Sequence, residues 1–393
     1  MKKTILLIIV FATQLNFSNA QWVVQDLSSI TTEGFAKVFF SDSLKGWVSG
    51  LNGTIIHTSN GGINWTLQNS GATGYLRDIY FVDSLKGWAI SSYGEILKTN
   101  NSGTNWSHQN LTGEFIYIHF FDSLYGLTAN RNGIIYKSYD GGQNWTAMQG
   151  SLPVNTIRSY FALDSLHSWG VGNTCIYKYN GTNWTQKYYS GSQDFYSVYF
   201  VDSLKGWAVG TTSSSGLIMK TTDGGNSWNQ QTINMPTGYL FSVYFLDSIN
   251  GWSVGDYGKV FKYNGTNWLE QNSNIAQQLS SVYFNDLNHG WATSWGGKLI
   301  HTNFLTNNFG TTQNIASDYS VYPNPAKNKI LINSNWTFQN SILSIYNIQG
   351  QLLLQQPIKQ EKTELDISRL AKGIYILKLT DFDNIEMTKF VKE

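Results

Sequence analysis

The sequence predicts an all-β chain in two parts: a ring of seven four-stranded units closed by an N-terminal strand, then a small antiparallel sandwich. Three observations carry that prediction. The stretch Asp42-Ser-Leu-Lys-Gly-Trp47 returns in variant form at Asp83–Trp88, Asp122–Leu127, Asp164–Trp169, Asp202–Trp207, Asp247–Trp252 and Asp286–Trp291, seven copies in all. A period of roughly 40 residues marks a repeat architecture. Each period holds four short apolar runs divided by turn formers, without helical periodicity, and the pattern gives way to a different one after Thr302.

The first unit shows the strands. Ala36-Lys-Val-Phe-Phe40, Gly46-Trp-Val-Ser-Gly50, Thr54-Ile-Ile-His-Thr58 and Asn64-Trp-Thr-Leu-Gln68 are β-prone, and the segments between them are rich in Ser, Asn, Asp and Gly. Four antiparallel strands per period of about 40 is the pattern of one β-propeller blade, so the fold class is a seven-bladed β-propeller spanning 21–302. The seventh unit has no fourth strand after His301-Thr302, while Gln21-Trp-Val-Val-Gln25 matches Asn64-Trp-Thr-Leu-Gln68. The N-terminal strand is therefore expected to complete the last blade.

Composition narrows the function. A net charge of +1 with only 13% charged residues excludes the electrostatic footprint of a nucleic-acid-binding chain. Partners are to be sought through shape and aromatic contact. The single cysteine, Cys175, sits in an apolar run and reads as a buried thiol; the six histidines lack metal-ligand spacing, so neither a metal nor a cofactor is expected. Residues 1–20 read as a secretory signal peptide: Met1-Lys-Lys3 is the charged start, Ile5–Ala12 the apolar core, and Ser18-Asn-Ala20 the cleavage site. The rest of the chain has no stretch apolar enough for a membrane helix. A monomer is expected.

Between third and fourth strands a second motif recurs. Thr58-x-Asn60-x-Gly62-x-x-Trp65 returns at Thr99, Asn101, Gly103, Trp106, at Ser138, Asp140, Gly142, Trp145, and at Thr221, Asp223, Gly225, Trp228. An Asp or Asn side chain can tie back to backbone amides, glycine supplies positive φ, and tryptophan packs inward. Asn60, Asn101, Asp140 and Asp223 are thus structural. These turns and the Asp-Ser-Leu-Lys-Gly turns fall on one face by chain direction. The opposite face carries the loops that vary, where binding residues are to be expected. Tyr93, Tyr257 and Trp295 precede or stand beside turn glycines there and form a candidate stacking arc. The only arginines before the C-terminal part, Arg77, Arg131 and Arg158, also map to that face and form a candidate anion site. A glycan or a surface protein is the expected ligand class. A carbohydrate-active hydrolase or lyase is the alternative; Asp78, Glu95, Glu114, Asp194 and Asp256 are the available acids, but facing pairs cannot be read from spacing. Catalytic residues are not assigned.

The third-to-fourth turn resembles the Asp-box, or BNR repeat, and residues 21–305 resemble BNR-type propellers similar to photosystem II assembly factors. Sialidases share such propellers and an arginine triad, but no Arg-Ile-Pro motif follows residue 20. After a polar linker, 303–318, residues 319–393 resemble the type A sorting domain of the type IX secretion system of Bacteroidetes. That resemblance rests on Tyr322-Pro-Asn-Pro325, Ser344-Ile-Tyr-Asn-Ile-Gln-Gly350, Leu365-Asp-Ile367, Leu370-Ala-Lys-Gly-Ile-Tyr-Ile-Leu-Lys378 and the basic end at Lys389 and Lys392. It implies that 319–393 engages the type IX machinery and that the protein is secreted or displayed on the outer-membrane surface.

Overall fold

In the computed structural model, residues 22–302 are described except 149–156, 165 and 181–182, as are residues 319–393 except 335–341, 348–351, 359, 361 and 382–383. The expected signal peptide and linker lie outside the described residues. The chain divides into two compact units, Met1–Asn308 and Phe309–Glu393.

The first unit is built of antiparallel strands in the repeating order that the sequence suggests. The first repeat has strands Phe35–Phe40, Gly46–Gly50, Ile55–Thr58 and Thr66–Gln68, hydrogen-bonded in chain order. Equivalent four-stranded sheets begin at Leu76, Phe115 and Leu240. The fourth and fifth repeats are joined in one six-stranded sheet, because Ser168–Tyr179 and Trp184–Phe200 each run on through what are two strands elsewhere. The sheet beginning at Leu279 ends with Trp22–Gln25, which pairs antiparallel to Leu299–Thr302, Trp22 opposite Thr302 and Gln25 opposite Leu299.

Neighbouring repeats are held by one repeated aromatic stack. The tryptophan of a second strand lies flat on the phenylalanine of the next repeat's first strand. Trp47 meets Phe81 with ring centroids 3.5 Å apart, as Trp88 meets Phe120, Trp169 meets Phe200 and Trp252 meets Phe284. Trp291 meets Phe40 at 3.9 Å, linking the last sheet to the first. These tryptophans are essentially fully buried, each contributing roughly 2–3 kcal/mol of hydrophobic stabilisation before entropy. Where a glycine precedes the tryptophan it makes room for its own repeat's phenylalanine: a Cβ on Gly87, before Trp88, would lie 2.4 Å from the Phe81 ring.

The seam between the third and fourth repeats departs from this pattern at three positions together. Leu127 stands where the tryptophan would be, Ala162 where the phenylalanine would be, and Ser168, paired with Ala162, where the glycine would be. Loss of the phenylalanine is what admits a Cβ at 168. Leu127, Ala162, Tyr160 and Trp184 surround a residual void of about 10 Å³. Cys175 packs in the same cluster as a free, buried thiol.

The turns of the repeated motifs are closed by side chains. Asp42 Oδ1 accepts the amides of Leu44 and Lys45, both at 2.8 Å, and its counterparts do the same in every repeat. In the second turn, Asp140 Oδ1 accepts the amides of Gln143 and Asn144 at 2.9 Å, and Asp223 Oδ1 accepts that of Ser227 at 2.9 Å. Asn60 and Asn101 do so with one oxygen, from Asn64 at 2.9 Å and Asn105 at 3.0 Å. These turns also latch adjacent repeats, since Trp88 Nε1 donates to Gly141 O and Trp169 Nε1 to Gly224 O, both at 3.1 Å.

Hydrogen bonds to the charged form hold the Asp140 and Asp223 carboxyls down at about 2, against an ordinary value of 3.8. A depressed folded value means that their stabilisation is present above about pH 4 and is lost as pH falls toward 2. In the Asp140→Asn/Asp223→Asn double variant, melting temperature measured against pH should fall less steeply between those values than in the wild type. Parallel acid limbs would remove these two carboxylates as contributors.

The second unit has two antiparallel sheets, one of Tyr319–Tyr322, Lys329–Ser334 and Lys362–Asp366, the other of Leu352–Pro357, Ile342–Asn347, Gly373–Asp381 and Asn384–Lys392. Ile330, Ile332, Leu343, Ile345, Leu365, Leu377 and Phe390 form its buried core.

Candidate functional site: an arginine-lined well

The first strands stand side by side and line one cavity of about 1000 Å³. Its wall is built in three tiers that follow from strand register. Each of the seven first strands carries a β-bulge after its first residue, seen as a register shift between Phe35 and Lys37 and at every equivalent pair. A bulge inserts an extra residue and re-aims its side chain, so two consecutive residues serve one side of the strand. The inserted residues Ala36, Arg77, Ile116, Arg158, Tyr196, Phe241 and Ser280 all line the cavity. Below them come Lys37, Asp78, Tyr117, Ser159, Ser197, Ser242 and Ser281, and then Phe39, Tyr80, His119, Phe161, Tyr199, Tyr244 and Tyr283.

The third tier is an aromatic floor. Tyr80 lies against His119 at 4.5 Å, Phe161 against Tyr199 at 4.8 Å, Tyr244 against Tyr283 at 4.9 Å, and Phe39 touches both Tyr80 and Tyr283. Burial there pushes the Tyr80 hydroxyl up to about 12 and the His119 ring down to about 4, leaving both neutral at physiological pH.

The middle tier supplies acceptors to strand edges that face the cavity. Asp78 takes the amides of Ile79 through Oδ1 and Ile118 through Oδ2, both at 3.0 Å, while Ser197 and Ser242 take those of Val243 and Val282 at 3.3 Å. Unpaired edge amides are thereby satisfied across the seams. Burial raises the Asp78 carboxyl despite Lys37, whose Nζ stands 3.9 Å from Oδ1.

The mouth gathers the charges. Arg77 lies over the Tyr75 ring at 4.8 Å and Arg158 over the Tyr196 ring at 4.2 Å. Glu114 Oε1 accepts from both Arg77 Nη2 and Arg131 Nη1, the latter at 3.3 Å. Arg158 donates to Asn173 Oδ1 from Nε at 3.1 Å and from Nη2 at 2.9 Å, with Asp194 Oδ2 3.5 Å away. Beside the arginines the rim is aromatic. Trp295 stands 4.9 Å from Tyr75, and Tyr196 makes edge contacts with Tyr239 and Phe241 at 5.8 and 5.1 Å. Gly34 permits the close approach of the Trp295 backbone, because a Cβ there would lie 2.3 Å from the Trp295 carbonyl oxygen.

Arg77, Arg131, Arg158 and Trp295 are thus brought together at one cavity. Tyr93 and Tyr257 are more exposed, at 81% and 61% against 39% for Trp295, but do not line it. Of the acids, Glu95 pairs with His108 at 2.6 Å and Asp256 accepts the Tyr239 amide at 3.0 Å. Tyr196 escapes the sequence reading because the bulge is silent in a period-two pattern, and Tyr75, just before a bulged strand, is missed with it; Glu114 is named there only as one of the acids, without its link to the arginines. A signal was present all the same: when repeats are aligned on their first apolar residue, the next position varies from Ala to Arg to Tyr. Among the described residues no three His, Cys, Asp or Glu side chains converge as metal ligands would.

This arrangement is that of the β-propeller class. The chain resembles the solved structures of YCF48 bound to D1 peptide (TM-score 0.61, 18% identity, 72% of this chain and 96% of that one) and of YCF48 from Cyanidioschyzon merolae (0.62, 18%, 72% and 99%). It also resembles the WD40 β-propeller domain of Doa1, with TM-score 0.60, 12% identity, and 72% and 96% of the two chains covered. More particularly, residues 15–159 match the family model described as photosynthesis system II assembly factor YCF48, and residues 320–393 match that of the secretion system C-terminal sorting domain. A curated relative, the funoran endo-beta-hydrolase of Wenyingzhuangia aestuarii, is 38% identical over 76 residues, which is 18% of this chain and 10% of that protein. The chain therefore spans a tenth of that relative's length. The sorting domain supports a secreted or cell-surface location, and among the described residues no helix is long and apolar enough to cross a membrane.

Proposed function

We propose that the protein is an exported, non-catalytic binding module: a seven-bladed propeller over 21–302, closed by its N-terminal strand, with a sandwich tail over 319–393 that addresses the type IX secretion machinery. The well is its binding site, and its ligand is an acidic segment of another protein. The observation that carries this reading is the convergence of Arg77, Arg131 and Arg158 with Lys37 on one cavity, which Trp295, Tyr196 and Phe241 also line. Guanidinium groups stacked on tyrosines are held ready for carboxylates, and the aromatic side offers contact to apolar neighbours in the same segment. The related YCF48 structure with a bound peptide makes a polypeptide ligand natural for this fold. Separation of Tyr93 and Tyr257 from the well weighs against a broad sugar-stacking platform. The acids of the well are engaged, Asp78 in the middle tier by backbone amides and Glu114 and Asp194 at the mouth by arginines, which favours binding over glycoside hydrolysis.

The test is fluorescence anisotropy of a labelled ten-residue polyglutamate peptide with the full-length protein. The Arg77→Ala/Arg131→Ala/Arg158→Ala variant should bind at least about tenfold more weakly, since charge-assisted contacts contribute roughly 1.5–3 kcal/mol each. Equal binding by wild type and variant would overturn the acidic-segment reading. Retention on a glycan array, lost in Trp295→Ala, would replace it with a glycan ligand.

A further inference from the structure

Glu114 is placed as no other acid of the mouth is. It immediately precedes the first strand of the third repeat, and its backbone carbonyl accepts the Arg131 amide at 2.8 Å, so the frame around it does not depend on its side chain. A single carboxylate oxygen, Oε1, serves both Arg77 and Arg131. Among the described residues, the Nε–H groups of both arginines are buried and find no partner. A buried donor left unpaired is costly, and a guanidinium presents its donors as a fork matched to two carboxylate oxygens. One shared oxygen therefore fills this pair of forks only in part.

We infer that Glu114 is a built-in occupant of the anion site, a carboxylate that holds Arg77 and Arg131 together until a ligand carboxylate displaces it. The inference rests on the reading of the well as an acidic-segment site and names the residue that sets its affinity. Glu114 is half-exposed, with its side chain 35% accessible, so it can swing outward into water on displacement. An incoming carboxylate with both oxygens free satisfies donors that Glu114 leaves bare. Selectivity follows as well: a ligand with one isolated hydroxyl or amide oxygen has nothing to offer beyond what Glu114 already supplies.

The test uses the same labelled polyglutamate peptide and full-length protein. Glu114→Gln should bind about tenfold more tightly than wild type, the factor expected when an internal competitor fills the site about nine-tenths of the time. Glu95→Gln makes the same change in net charge at a residue outside the well and should leave affinity unchanged. Weaker or unaltered binding by Glu114→Gln would overturn the inference and make Glu114 a positioning residue, as would equal tightening by the two variants. A melting temperature shared by wild type and Glu114→Gln shows that the comparison is made on folded protein. Failure of the acidic-segment reading looks different: wild type and the triple arginine variant then bind alike.

Discussion

Replacing Trp22 with alanine will lower the unfolding free energy by about 3–5 kcal/mol, the range for removing a large buried aromatic, and deleting Trp22–Gln25 will leave no cooperative melting transition for the first unit. Trp22 is fully buried, makes an edge contact with Phe284 at 5.7 Å, and donates from Nε1 to Gln271 Oε1 at 3.1 Å. Its carbonyl accepts from Asn274 Nδ2 at 2.6 Å, and Gln25 reaches the first repeat, where its Oε1 accepts from Trp65 Nε1 at 3.1 Å and its Nε2 donates to Gly62 O at 2.8 Å. The strand therefore ties together the sixth, seventh and first repeats, and its loss exposes the edge of Leu299–Thr302. Differential scanning calorimetry decides it. A Trp22→Ala protein that melts within a degree or two of wild type would mean that this strand is ornamental.

The second large effect is expected at the seam between third and fourth repeats. Ala162→Phe alone should destabilise by about 1–3 kcal/mol, because it overpacks a site whose neighbour carries a Cβ. The same ring in the third repeat would stand 2.5 Å from a Cβ on Gly126. Adding Leu127→Trp and Ser168→Gly should recover that loss, since the three residues then recreate the stack seen between Trp88 and Phe120. Urea denaturation of the single, double and triple variants measures the coupling. Additive effects would show that the three positions vary independently.

The seam also shows what could be read without coordinates. The repeat, the strand positions and the polar turns were legible because each is local: Gly46–Gly50 is a strand in both readings, and the first strand differs only by the inclusion of Phe35. Chain direction, which sorts loops between faces, puts Arg77, Arg131, Arg158 and Trp295 on one face; that they line one cavity is seen only in the structure. Tyr93 and Tyr257 were grouped with them by the same argument, but direction alone does not say which side chains turn toward the axis and which point outward. The bulge decides that, and it depends on pairing between strands. Glu114 was visible only as one of several acids. Its role arises from two arginines 37 and 17 residues away in sequence, a relation that no local pattern encodes. The merging of strands across 168–200 was also unforeseen, because the turn residues at 190–193 stay within a continuous strand there.

The pairing of Trp22–Gln25 with Leu299–Thr302 bears on the order in which the chain can fold. The two strands are separated by some 280 residues, so their contact has one of the greatest sequence separations the first unit can have. Closing so long a loop is entropically slow, and topologies dominated by distant pairings fold late. A chain delivered N-terminus first presents Trp22 long before its partner exists. Until Leu299–Thr302 arrives, the buried face of this strand has no home and the last sheet has an open edge. The intermediate that accumulates in that interval carries an apolar strand and an unpaired edge at once, the combination most prone to association between chains. Completion of folding thus depends on the last repeat, and a truncation within it should harm the whole first unit as much as one at the beginning.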